Sequence, residues 1–129
     1  MLDEAEIDPW LRLFDRLDAT LASAGGPEAL RIFRALGPRR FANAHRRLLR
    51  ERQRLVVEIA GIGVCPVEGR MFPPSGAPGE NALDTDYENL AEAFARCAPI
   101  AHRLGKFALK QWLLGRARMH RQHALFLVT

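Results

Sequence analysis

Residues 40–60 read RFANAHRRLLRERQRLVVEIA, and this stretch decides the fold class. At about 100° per residue, Arg39, Arg40, Arg46, Arg47, Arg50 and Arg54 fall within roughly 120° of one another, while Phe41, Leu48, Leu49, Leu55, Val56 and Ile59 take the other side. One apolar face and one arginine face at this period predict an α-helix from about Arg40 to Ala60, ended by Gly61 and Gly63.

Working outward, the same period recurs on both sides. Asp8 before Pro9 predicts a helix start, and Trp10, Leu13, Phe14, Leu17 and Leu21 then repeat at helical spacing as far as Gly25 and Gly26. Pro27 opens an expected short second helix with Leu30, Ile32, Phe33 and Leu36, stopped by Gly37 and Pro38. Residues 61–84 carry Pro66, Pro73, Pro74 and Pro78 among Gly69, Gly76 and Gly79, which predicts a long loop and the segment expected to order against a partner. Thr85 with Glu88 forms a capping-box pattern ahead of Leu90, Ala93, Phe94 and Cys97. Pro99 then either kinks that helix or begins a fifth one running to the C-terminus, weakened at Gly105 and Gly115. The expected architecture is therefore one all-α domain over residues 1–129, a bundle of four to five helices with one long Pro/Gly-rich loop.

Composition agrees with that class. With 129 residues, 48% of them hydrophobic, 26% charged and 8% aromatic, the chain suits a single globular domain and not a disordered or fibrous one. No run approaches the ~18 apolar residues of a membrane span, and the acidic opening lacks the basic start of a secretory signal. A cytoplasmic protein is the expectation, with Cys65 and Cys97 reduced.

Charge carries the strongest functional signal. The net charge of +4 conceals alternating blocks of −5 for residues 1–28, +7 for 29–60, −5 for 61–95 and +7 for 96–129. The last block contains no acid at all. Its basic residues Arg103, Lys106, Lys110, Arg118 and Arg121 project within about 120° of one another, opposite Leu104, Ala108, Trp112, Gly115, Met119 and Phe126, with Phe107 and Leu114 inside the basic stripe. Arginine presents a planar fork to phosphate oxygens, and a row of such forks suits the backbone of a nucleic acid. The plain alternative is that both stripes are solvated or dock against acids of the same chain, such as Asp3, Glu4, Glu6, Asp15 and Asp18.

Chemistry-bearing motifs are sparse. Ser23 and Ser75 are the only serines and neither lies in a nucleophile elbow, Cys65 has no histidine beside it in sequence, and Gly61 and Gly63 lack the rest of a dinucleotide fingerprint. His120 and His123, three apart on a helix, can present two imidazoles to a metal, with Cys97, His102 or His45 as further ligands; the alternative is that they complement the helix C-terminus. Asp84, Asp86 and Glu88 lack the glycine of a calcium loop and suit the first turn of a helix. No enzyme, metal or cofactor is expected.

The closing segment, KFALKQWLLGRARMHRQHALFLVT from Lys106 to Thr129, resembles the end of the small α-helical subunits of CRISPR effector complexes. That resemblance implies a basic helical bundle that lines a larger ribonucleoprotein complex, contacts the nucleic-acid backbone and catalyses nothing. Three other segments, WLRLFDRLDATL (10–21), GIGVCPVEGRMFPP (61–74) and LLGRARMHRQHALFLV (113–128), resemble GrpE-type nucleotide exchange factors of heat-shock chaperones in the right order. That second resemblance implies a strand for HRQHALFLV. The favoured expectation is a subunit that grips RNA or single-stranded DNA phosphates without reading sequence; the exchange factor, or an adaptor for an acidic protein, is the alternative. About five phosphate contacts would give a log–log salt slope near −4.

Overall fold

The computed structural model describes residues 2–24, 38–64 and 82–128. Four helices account for them: α1 (Glu4–Ala24), α2 (Pro38–Gly61), α3 (Ala82–Arg103) and α4 (Phe107–Val128), with no strand among the described residues. The all-α bundle follows. The expected second helix from Pro27, residues 65–81 of the expected 61–84 loop, and Cys65 lie outside the described residues; at the far end of that loop, residues 82–84 already belong to α3. The tail is helical as far as Val128, so the strand implied by the exchange-factor resemblance is not formed.

Helix ends show where local chemistry overrode the expected boundaries. α1 starts before Asp8: the Asp3 carboxylate accepts from the Glu6 amide at 2.9 Å while the Asp3 amide donates to the Glu6 side chain at 3.4 Å, a reciprocal cap. Pro9 consequently sits inside the helix, past its first turn, and Thr85 likewise falls inside α3. Pro38, expected as a stop, opens α2. Pro99 neither ends α3 nor founds a new helix; the break comes at Gly105.

The two later turns share one design. Gly63 has φ +84°, its amide donates to the Ala60 carbonyl at 3.1 Å, and the Val64 amide reaches the Ile59 carbonyl at 2.9 Å. Gly105 has φ +73°, with Gly105 to His102 at 3.0 Å and Lys106 to Ala101 at 2.9 Å. Both are Schellman caps, which need the left-handed backbone that glycine adopts without strain. The second lets α4 fold back antiparallel on α3, the most extensive helix pairing in the bundle.

One apolar core joins all four helices. It takes Trp10, Leu13 and Leu17 from α1, Leu48, Leu55 and Ile59 from α2, Leu90, Phe94 and Cys97 from α3, and Leu109, Leu113 and Ala117 from α4. α1 lies along α3, where the Thr20 hydroxyl donates to the Asp86 carbonyl at 3.3 Å and, at the other end, Arg103 pairs with Glu6. α2 is pinned to α1 by Arg52, whose guanidinium donates to Asp18 at 2.7 Å and stacks over Phe14.

Two expected apolar faces are misphased. Leu49 is 41% exposed, while Glu51 takes the inward position between Leu48 and Leu55. On α4 the inward residues are Leu109, Leu113, Ala117, His120 and Ala124, not the expected Ala108, Trp112, Gly115 and Met119; Ala108 is exposed and Trp112 and Met119 are half-buried.

Candidate nucleic-acid interface

α2 faces three ways. Its core side carries Leu48, Leu55 and Ile59, spaced so that one residue between them, Glu51, must also point inward. There the carboxylate, 4% exposed, meets the Nε2 of His120, 1% exposed, at 2.8 Å. A carboxylate only accepts, so Nε2 carries the proton. Arg116 donates to the other Glu51 oxygen at 3.4 Å. The His120 ring lies between Tyr87 and Phe94, each 5.6 Å away and nearly parallel.

This buried polar group perturbs its neighbours. Burial first, and the Glu51 carboxylate second, push the Tyr87 phenol up to about 12, with Arg47 opposing. His123 is lowered from its ordinary value, by burial first and then by His120 and Arg47. Burial alone pushes the Cys97 thiol up. His120 is thus committed to Glu51, and no group of three or more His, Cys, Asp or Glu among the described residues is arranged to hold a metal ion.

The second side of α2 meets α4 through long side chains. Arg47 donates to the Met119 sulfur at 3.4 Å, and the Arg54 guanidinium lies 4.7 Å above the Trp112 ring, with Glu58 at 3.6 Å. Arg47, expected to face solvent, is half-buried in the seam between the helices, while Arg54, exposed as expected, leans over its edge. The reason is geometric: Arg47, Glu51 and Arg54 are three or four residues apart and share a side.

The third side faces water. Arg46 and Arg50 are exposed, about 6 Å apart along the helix axis, with no acidic partner among the described residues. Beside them Leu49 and Val57 are exposed, the latter by 70%. The side chains of Arg39 and Arg40 lie outside what is described.

The expected second stripe divides as well. Arg103 pairs with Glu6 on α1, and Lys110 lies 3.1 Å from the His102 ring. Lys106, Arg118 and Arg121 are exposed with no acidic partner among the described residues. On α4 the residues that touch α2 are Trp112, Arg116, Met119 and His120, whereas Arg118 and Arg121 project more than about 130° away from their mean direction. The structure therefore does not bring the two stripes into one surface. They form separate faces: Arg103 is docked on an acid of α1, Arg47 and Arg54 are engaged in the α2–α4 seam, and Arg46, Arg50, Lys106, Arg118 and Arg121 have no acidic partner among the described residues.

Sequence reasoning missed Glu51, Arg116 and Tyr87. The signal for Glu51 was present, since it occupies the register of Leu48, Leu55 and Ile59, but it sits inside a run of arginines. No family model, curated protein or solved structure matches this chain. No described helix is long and apolar enough to cross a membrane.

Proposed function

We propose that this chain is a non-catalytic subunit that binds the phosphate backbone of RNA or single-stranded DNA without reading bases, inside a larger cytoplasmic ribonucleoprotein assembly. The observation that carries the reading is the outer face of α2, where Arg46 and Arg50 stand one turn apart with no carboxylate of the described residues to neutralise them. Arg54, stacked on Trp112 at the edge of this face yet half exposed, adds a third cation, because its contact with Glu58 at 3.6 Å is too weak to hold it from a phosphate. Lys106, Arg118 and Arg121 supply a second contact face on α4. Lys110, Arg103 and Arg47, turned to His102, Glu6 and Met119, become supporting residues. Exposed Leu49 and Val57 beside the arginines, and Phe107 at 58% exposure beside Lys106, suit contact with protein subunits of the same assembly.

Fluorescence titration on random single strands at several salt concentrations tests the proposal. Each phosphate contact contributes about 0.7 to the log–log slope, so three cations on one face give about −2 and both faces together about −4. Affinity independent of salt refutes it. Arg46→Glu with Arg50→Glu should weaken binding at least tenfold with helicity unchanged. That pair is the cleaner substitution, because Arg47 and Arg54 also hold the α2–α4 seam. Salt-sensitive binding to an acidic protein, with none to nucleic acid, would assign the same arginines to the adaptor role instead.

A further inference from the structure

Away from both basic faces, α1 and α3 leave a cleft of about 220 Å³ lined by Asp8, Pro9, Arg12, Arg16, Asn89, Glu92 and Arg96 among others. Its two rims are alike. Arg12 pairs with Asp8 one turn earlier on α1 at 2.7 Å, and Arg96 pairs with Glu92 one turn earlier on α3. Between the rims stands Arg16, which has no carboxylate among the described residues. Its Nη1 is buried without a hydrogen-bond partner among the described residues. Three guanidiniums against two carboxylates leave the lining with one positive charge, and that charge sits on Arg16.

A buried N–H of a guanidinium without an acceptor is costly and rare in folded proteins, and a bound water or ion is the usual way such a group is satisfied. The geometry points to an oxyanion site: we infer that the cleft binds one small anion, a phosphate or carboxylate group, through the fork of Arg16 with the Asn89 amide as a second donor. A guanidinium fork fits two oxygens of either group side by side. Arg16 is among the residues that line the cleft, so its guanidinium is the donor group nearest the space between the rims. Asp8 and Glu92 on the rims disfavour high negative charge, so a monoanionic group is preferred. The volume lies below the range of ordinary cofactor pockets, which admits a small acid or a phosphate and excludes a whole nucleotide. Nothing in this site depends on the arginines of α2.

Amide and guanidinium NMR titration of the full chain, with inorganic phosphate and separately with acetate, tests the inference. Saturable shifts are expected at Arg12, Arg16, Asn89 and Arg96, and Arg16→Gln should weaken binding at least tenfold while Gln111→Ala, at an exposed position of α4 outside the cleft, leaves it unchanged. Asn89→Asp, which puts a negative charge in the cleft, should do the same and covers the case in which the Arg16 variant fails to fold. Saturation by phosphate alone identifies a phosphoryl ligand, and by acetate alone a carboxylate; both support the site. Linear shifts spread over Arg46, Arg50 and Arg118, or binding indifferent to both cleft variants, overturn it. Loss of nucleic-acid binding in Arg46→Glu with Arg50→Glu bears only on the function proposed above, so the two readings fail separately.

Discussion

Replacing Glu51 by Ala is the most demanding test of the packing described here. The carboxylate is almost wholly buried, accepts from His120 Nε2 at 2.8 Å and receives Arg116 at 3.4 Å. Removing it strands a buried imidazole N–H and leaves the half-buried Arg116 without its carboxylate, while the His120 Nδ1 and Arg116 Nε atoms already lack partners among the described residues. Breaking one side of such a buried pair costs about 3–5 kcal/mol, against a total stability of about 5–15 kcal/mol for a typical domain. With an unfolding entropy of about 2.1 cal/mol/K per residue, 1 kcal/mol moves the midpoint of a chain this size by about 4 °C. The Glu51→Ala midpoint should therefore fall by about 12–20 °C in thermal melts followed by far-UV circular dichroism. A double-mutant cycle of Glu51→Gln and His120→Gln should return a coupling of about 2 kcal/mol. A Glu51→Ala midpoint within about 4 °C of the parent chain would refute the view that this pair organises the α2–α4 seam.

Other outcomes follow from single residues. The sequence holds one tyrosine, so phenolate absorbance reports Tyr87 alone; folded protein should show little phenolate near pH 11, and denaturant should restore titration to about 10. Because the folded phenol is raised, stability falls as pH climbs above 10, and Tyr87→Phe should flatten that loss. His123 is lowered in the folded state, so the unfolded chain takes up its proton first and stability declines as pH falls through 6.5; His123→Gln should lessen the decline in midpoint. Gly115→Ala should raise the melting midpoint by about 3–4 °C, since an added Cβ meets nothing within 4 Å and alanine is the better helix former. Gly105→Ala, also free of steric neighbours but held at φ +73°, should instead lower it by about 4–8 °C.

Helical class was legible because Leu, Ala and Arg fill periodic segments, and several inward residues of α1 and α3 were read correctly, Trp10, Leu13 and Leu17, then Leu90, Phe94 and Cys97, while the expected Leu21 is only half-buried and the inward Tyr87, Ala98 and Ala101 were missed. The rotation of α4 was not. Apolar residues occur around nearly its whole circumference, with Leu109, Trp112, Leu113, Leu114 and Met119 all in one short span, so the charged stripe became the marker of the outside. Long basic side chains can leave the edge of a buried face and still reach water, which is why Lys110 flanks the core side instead of opposing it. The start of α1 was misjudged for a comparable reason: Asp8 before Pro9 is a strong local signal, and the reciprocal cap at Asp3 and Glu6 outweighs it. At the candidate interface, the sequence indicates which residues are basic. It does not indicate which of them the neighbouring helix occupies, since that depends on the approach of α4 to Arg47 and Arg54.

The seam between α2 and α4 has a consequence for motion. Elsewhere the helices touch largely through apolar side chains, apart from the Arg103–Glu6 and Arg52–Asp18 pairs, and apolar contacts lose much of their attraction once separated by a fraction of an ångström. Here the spacers are arginine, glutamate, methionine and histidine side chains, several of them multi-jointed, so the gap they span can widen while polar contacts are handed to water. α2 is therefore the element most easily peeled from the α1–α3–α4 body, and its amides should exchange with solvent by a partial opening that leaves the other three helices protected.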